Sequence, residues 1–274
     1  MMNLQSVLNK MDTTSNKYGV VLQPLVAARL SASERSEMVT QYLFGDILLV
    51  EKEDSEFYFV TSLYDNYSGW VCKGSIHLVG DVSLLELKTT YMSTAQLADV
   101  FNLSDRSIIR LPLGSRLIGY NELNGRFGIN GCEYQIHPSF VVNTQPASLE
   151  GILETAFSFK NAPYLWGGKT TLGIDCSGFV QQVYAIHGFE LPRDARQQVE
   201  VGSAVDTLAD AKQGDLLFFS STASSDISHV GLFLDSNRVI HASINVHVDS
   251  LDDVGIINKT TGSHSHLLKA IRRL

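Results

Sequence analysis

From Lys17 to about Val142 the chain runs in short stretches of alternating apolar and polar residues, broken by Gly, Asn, Asp and Ser. Side chains along a strand point to opposite faces in turn, so this pattern predicts half-buried antiparallel strands. "GDILLVEKE", "EFYFVTSL" and "GWVCKGSIHLV" form one set. "RLPLGSRLIGYNE", "RFGINGC" and "EYQIHPSFV" form another, after a segment, "STAQLADVFNLS", that reads as more helical. "LFGDILLV" and "PLGSRLIGY" stand at corresponding places, each before a turn and an aromatic-rich strand. A tandem pair of small β-barrels is therefore expected over residues 17–86 and 87–145.

The period changes at "NTQPASLE", where Pro146 breaks the strand pattern. Ser148 then precedes Leu149, Ile152, Leu153, Ala156 and Phe157 at helical spacing, which predicts a capped helix opening a third domain over 146–274. A second helix is expected to begin near Cys176, with Phe179, Val180, Val183 and Tyr184 on one face and Gly188 closing it. "DLLFFSS", "HVGLFLDS", "RVIHASI" and "LLKAIRRL" follow as strands. Helices first and an antiparallel sheet afterwards make an α+β domain.

The 274 residues exceed what one core comfortably serves, which agrees with several domains. A formal net charge of −8, with no run of Lys and Arg, argues against nucleic acid or an anionic membrane as partner. No apolar run approaches the roughly 20 residues of a spanning helix. The amino terminus, "MMNLQSVLNKMDTTSNKYG", lacks the apolar core of a secretory signal. A soluble, cytoplasmic monomer is expected, or a periplasmic or secreted one if a leader has been trimmed. Three cysteines are too few for a disulfide scaffold and suit a reducing compartment.

One of them, Cys176, lies in "GIDCSGFV" at a helix start. Free Cys is among the most buried residue types, so packing is one reading. A helix amino terminus beside an imidazole is also the usual way to activate a thiol. His229 and His241, 12 residues apart, suit equivalent positions on two adjacent antiparallel strands, where one would act as base and the other orient it. As a zinc set, Cys176, His229 and His241 lack a fourth ligand and the usual short spacings, so no metal is expected. Cys72 and Cys132 read as packing residues.

Taken in order, "YLWGG", "DCSGFV", "LPRDARQQ", "GDLLFF", "SHVGLFL" and "VIHAS" resemble the NlpC-type cysteine peptidases of bacterial cell-wall metabolism, from about Ser148 to Leu274. The resemblance implies a papain-like catalytic domain with Cys176 as nucleophile, His229 as general base and His241 as the orienting residue. It also implies that Tyr164 lines the oxyanion region and that Asp175 and Ser177 flank the substrate groove. "SERSEMVTQYLFGDILLV" and "DNYSGWV" resemble the first SH3-like barrel of the subfamily that hydrolyses the γ-D-glutamyl bond to a diamino acid in murein stem peptides. There the barrel recognises the free amine of L-alanine, which points to Glu37 and Tyr67, with Asp65 as a further candidate. The family's "R-D-S" is here Arg193-Asp194-Ala195, so a substrate contact by the serine is lost. Arg193 and Asp194 are left for a ligand carboxylate or a local ion pair. The implied reaction is amide hydrolysis through a thioester, with no metal or organic cofactor. An autolysin acting on intact wall, a non-catalytic wall-binding protein and acyl transfer to an amine are the alternatives.

Overall fold

The structure, a computed structural model, describes residues 17–79, 89–129, 131–144, 148–235 and 237–274. The boundaries read near residues 86 and 145, and Pro146, lie outside those residues. The first unit holds β1 (Lys17–Val20), β2 (Leu25–Arg29), β3 (Met38–Leu43), β4 (Ile47–Glu53), β5 (Phe57–Ser62), β6 (Ser68–Cys72) and β7 (His77–Val79). They form one antiparallel sheet in the order β3-β2-β6-β5-β4-β1-β7. Alternate residues turn inward, so Val26 and Ala28 of β2 meet Tyr42, Leu48, Val60 and Val71 in a closed core.

The second unit holds β8 (Tyr91–Ser93), β9 (Leu97–Asn102), β10 (Ile108–Pro112), β11 (Arg126–Ile129), β12 (Cys132–Ile136) and β13 (Val141–Asn143). The segment expected to be helical contains no helix, and its central half is β9. Leu97, Val100 and Phe101 have a spacing that mimics a helix face, but Ala98 and Val100 are buried while Leu97 and Phe101 are exposed. Pairing with β10 and β12 on either side imposes the period of two. Phe44, in the turn after β3, leaves its own barrel and packs edge-on against Phe127 and Tyr134 at 5.7 and 5.1 Å between ring centroids. It thus joins the first unit to the second through one shared core.

In the third unit the hydroxyl of Ser148 accepts the Gly151 N–H and caps α1 (Leu149–Ser158). After β14 (Lys169–Thr170) and β15 (Gly173–Ile174) come α2 (Cys176–Ala185) and the short α3 (Ala195–Gln198). The remaining strands are β16 (Ser203–Val205), β17 (Leu216–Ser221), β18 (Ile227–Phe233), β19 (Arg238–Ala242), β20 (Val246–Ser250), β21 (Gly255–Ile257) and β22 (His264–Arg273). The sheet runs β16-β22-β17-β18-β19-β20, with β21 added on β22. On one face Phe179, Val180 and Val183 of α2 pack against Phe218, Val230, Leu232 and Ile240. On the other, Leu217, Phe219, Phe233 and Val239 meet Leu251 and Ile256. Burial on both faces explains why β17 reads "LLFF" rather than alternating. Among the described residues, no helix is long and apolar enough to cross a membrane.

The first barrel docks on α2 and β14 through buried polar groups. Asp65 accepts the Gln181 side-chain amide at 3.1 Å and lies 3.8 Å from Lys169. Gln41 of β3 accepts the Lys169 N–H at 2.9 Å. Burial lowers the Lys169 ammonium and raises the Asp46 carboxyl from their ordinary values, so desolvation outweighs their attraction.

Candidate active site

Cys176 opens α2 because Asp175 stops the preceding extended chain and caps the helix. Asp175 Oδ1 accepts the Gly178 N–H at 2.7 Å, and Oδ2 accepts the Gly167 N–H at 2.8 Å. Arg193, only 1% exposed, donates to both carboxylate oxygens at 2.9 and 2.6 Å. It also donates to Ser177 Oγ at 2.9 Å and, through Nε, to Thr40 Oγ1 of β3 at 2.9 Å. Asp175 and Ser177, on either side of Cys176, turn their side chains to Arg193. Both side chains are buried and bonded to Arg193, and they fix the helix start. The ion pair of Arg193 is made with Asp175, while Asp194 caps α3 and meets Tyr67.

The Cys176 thiol, in a buried side chain, donates toward the Ser228 carbonyl at 4.0 Å and is approached by the Val230 N–H. It thus lies against the backbone on both sides of His229. Burial pushes the thiol up to about 12, the Asp175 charge adds to this, and the Val230 N–H opposes it. Burial therefore favours the neutral form of the thiol.

His229 on β18 and His241 on β19 stand on neighbouring antiparallel strands, two positions out of register, since His241 pairs with Gly231. Their rings meet, with His229 Nε2 2.7 Å from His241 Nδ1. His241 Nε2 in turn lies 3.3 Å from Asp249 Oδ2 on β20. An ionised carboxylate can only accept, so His241 carries its proton on Nε2 and offers Nδ1 as acceptor. His229 then carries its proton on Nε2 and has its lone pair on Nδ1. Burial and the surrounding imidazoles hold His229 well below the ordinary histidine value. Burial also lowers His241, against the pull of Asp249. The hydrogen bond from His241 keeps Asp249 well below the usual carboxylate range.

Three members of this cluster escaped the sequence reading: Asp249, His247 and His266. His266 of β22 stacks on His229 at 4.3 Å between centroids, and burial brings it down to about 4. The available signal was "VHVDS", whose period of two puts His247 and Asp249 on one face of a strand beside His241.

Tyr164 is half-buried, and burial, followed by the proximity of Cys176 and Asp175, raises its phenol, so it stays a hydrogen-bond donor next to the thiol. The adjoining Trp166 is exposed and donates its indole N–H to Glu37 at 2.7 Å. Gly167 has φ +76°, and a Cβ there would come within 2.7 Å of the Met38 carbonyl of the first barrel. Tyr67 hydrogen-bonds Asp194, and burial raises its phenol to about 12. Glu37 and Tyr67 thus both reach the catalytic unit from the barrel, whereas Asp65 is taken up in the junction. Of the other cysteines, Cys132 packs beside the second core, but Cys72 is exposed at the end of β6, contrary to expectation. Ala195 is buried at the start of α3.

Residues 161–265 match the NlpC/P60 family, and residues 29–76 match the bacterial dipeptidyl-peptidase Sh3 domain. Over 228 residues the chain is 32% identical to the gamma-D-glutamyl-L-lysine dipeptidyl-peptidase of Bacillus subtilis (strain 168), covering 78% of this chain and 75% of that protein. The chain belongs to the NlpC/P60 family. Dipeptidyl-peptidase 6 of Lysinibacillus sphaericus is similar at 29% identity over 246 residues, 80% of this chain and 86% of that protein. An NlpC/P60 family protein from Bacillus cereus ATCC 10987 shares the fold, with a TM-score of 0.77 at 18% identity, over 93% of this chain and 99% of that chain. The protein is an NlpC/P60 cysteine peptidase with an α+β catalytic domain behind an SH3-like one.

Proposed function

We propose that this peptidase hydrolyses the bond between the γ-carboxyl of D-glutamate and a diamino acid in murein peptides that begin with a free L-alanine. The observation that carries the reading is the Cys176 thiol lying against both neighbours of His229, whose outer nitrogen is held by His241 and Asp249. The names of the Bacillus subtilis and Lysinibacillus sphaericus relatives support the bond and the dipeptide product.

In this reading His229 Nδ1 takes the thiol proton as Cys176 Sγ adds to the γ-carbonyl carbon. The developing oxyanion meets the N–H groups at the start of α2 and the Tyr164 hydroxyl. His229, now an imidazolium held through His241 by the Asp249 charge, returns the proton to the leaving amine. Water activated by the same ring then breaks the thioester. Glu37 and Tyr67, which reach the catalytic unit through Trp166 and Asp194, would bind the alanine ammonium. Peptides still joined to glycan have no such amine and would forgo the ion pair with Glu37, which selects against them. The reaction thus belongs to the reuse of released wall peptides.

The test compares L-Ala-γ-D-Glu-diamino acid with its N-acetylated twin. Cleavage of the free peptide alone, lost in Cys176→Ala, is expected. Equal cleavage of both would remove amine recognition from the reading, and an active Cys176→Ala would overturn the mechanism.

A further inference from the structure

Beside the catalytic cluster lies a group that hydrolysis does not need in full. His247 stands directly opposite His241 in the β19–β20 register, with ring centroids 4.8 Å apart. Asp249, two residues on, projects from the same face. Its Oδ2 lies 3.3 Å from His241 Nε2 and 3.0 Å from His247 Nε2. The three donor atoms all fall within 4.8 Å of one another. Tetrahedral zinc with bonds of about 2.0–2.1 Å sets its ligand atoms about 3.3 Å apart, so two of the three edges already have the required length.

The orientation of His247 adds a second, independent indication. Its Nδ1 lies 2.8 Å from the Asn245 carbonyl, an acceptor, so Nδ1 carries a proton there. Its Nε2 therefore points at the Asp249 carboxylate oxygen 3.0 Å away, a contact that needs a proton or a metal cation between the two atoms. A ring whose outer N–H is tied to a backbone carbonyl while Nε2 points inward is the usual support of a metal-bound histidine. The site is reachable, since the side chains of His247 and Asp249 are 28% and 16% exposed. The neighbouring cation is Lys259, whose Nζ lies 3.3 Å from Asp249 Oδ1 and donates to the Val248 carbonyl at 2.9 Å, on a side chain that is 65% exposed.

We propose that His241, His247 and Asp249 form an inhibitory site for a borderline transition-metal ion of the zinc type, which switches the peptidase off by reversing its histidine relay. An ion on His241 Nε2 sends the proton of that nitrogen to solvent. His241 stays a neutral imidazole by taking, on Nδ1, the Nε2 proton of His229 across their 2.7 Å contact. His229 recovers a proton from solvent on Nδ1, so one proton is released and one taken up. His229 Nδ1, the base of the proposed reaction, then has no lone pair. The inhibition rests on the proposed roles of Cys176 and His229; the binding of the ion does not.

Zinc chloride titrated calorimetrically into the whole protein tests this, with peptide hydrolysis followed in parallel. One equivalent should bind the parent and Cys176→Ala alike, which separates this site from simple capture by the thiol. His247→Gln should weaken binding at least tenfold and shift the inhibition curve by the same factor, each variant being compared with its own zinc-free rate. Lys259→Ala, at an exposed position, should tighten binding severalfold and provides a variant whose folding is not at risk. EDTA should restore activity. Loss of binding in Cys176→Ala, unchanged sensitivity in His247→Gln, no response to Lys259→Ala, or binding without inhibition would each overturn the proposal.

Discussion

Replacing Arg193 by Met tests how the catalytic helix is held. Arg193 is 1% exposed and makes four short contacts, two to Asp175, one to Ser177 and one to Thr40 of the barrel. Met fills most of the volume but strands the Asp175 carboxylate, itself only 5% exposed. Breaking a buried ion pair by removing one partner costs about 3–5 kcal/mol. Asp175 keeps its two backbone N–H bonds, at 2.7 and 2.8 Å, which places the expected loss near the lower end, about 3 kcal/mol. Asp175→Asn should cost a similar amount, because a guanidinium is then left buried with two hydroxyl partners. The double variant removes both charges and keeps an amide that can cap α2, so it should recover about 2 kcal/mol relative to the sum of the two singles. Urea denaturation followed by circular dichroism reads these differences, and kcat/KM on the free peptide should fall with the singles and partly return in the double. An Arg193→Met variant within about 1 kcal/mol of the parent, or a double variant with strictly additive losses, would refute the reasoning.

His229, His241 and His266 all lie below the ordinary histidine value of about 6.5, so the unfolded chain binds more protons between that value and the folded ones. Their contribution to stability is complete above about pH 6.5 and is lost as pH falls toward the folded values; Tm should drop between pH 7 and 5, and a flat profile counts against it. Because the base must be neutral, the acid limb of kcat/KM should lie below about 6.5, measured on the free peptide across pH 4–8; a limb at or above that value argues for a preformed charged pair. Asp249→Ala removes the acceptor that sets both tautomers and should lower kcat by about 10²–10⁴ with little change in KM, while a drop confined to KM would assign Asp249 to binding. Gly167→Ala meets the Met38 carbonyl at 2.7 Å from a left-handed conformation. It should loosen the barrel from the groove and raise KM for the free peptide, and an unchanged KM would show that the contact does not shape the substrate site.

Fold class was legible because each unit wrote its own period into the chain. Strands with one face to a barrel core alternate, α1 carries its cap and its apolar stripe, and the run of ordered motifs from Tyr164 to His241 carried the family resemblance. Cys176, His229 and His241 could be named for the same reason, since each lies in a motif with a local signature. Where a local pattern admitted two periods, as in "STAQLADVFNLS", propensity gave way to the neighbouring strands on either side of β9.

The tertiary structure alone decided which polar groups meet. Asp175 and Arg193 are 18 residues apart in sequence, and Thr40 is 153 residues from Arg193, so no spacing rule couples them. Asp249 and His247 were hidden for a related reason: a strand shows that two side chains share a face, but not which strand lies next to it. Strand order and register brought them beside His241, and only then did the carboxylate acquire a proton donor to orient. Sequence determined the chemical types at the helix start and on each strand. Register and burial decided their protonation states, because both depend on distances of a few ångströms between residues remote along the chain.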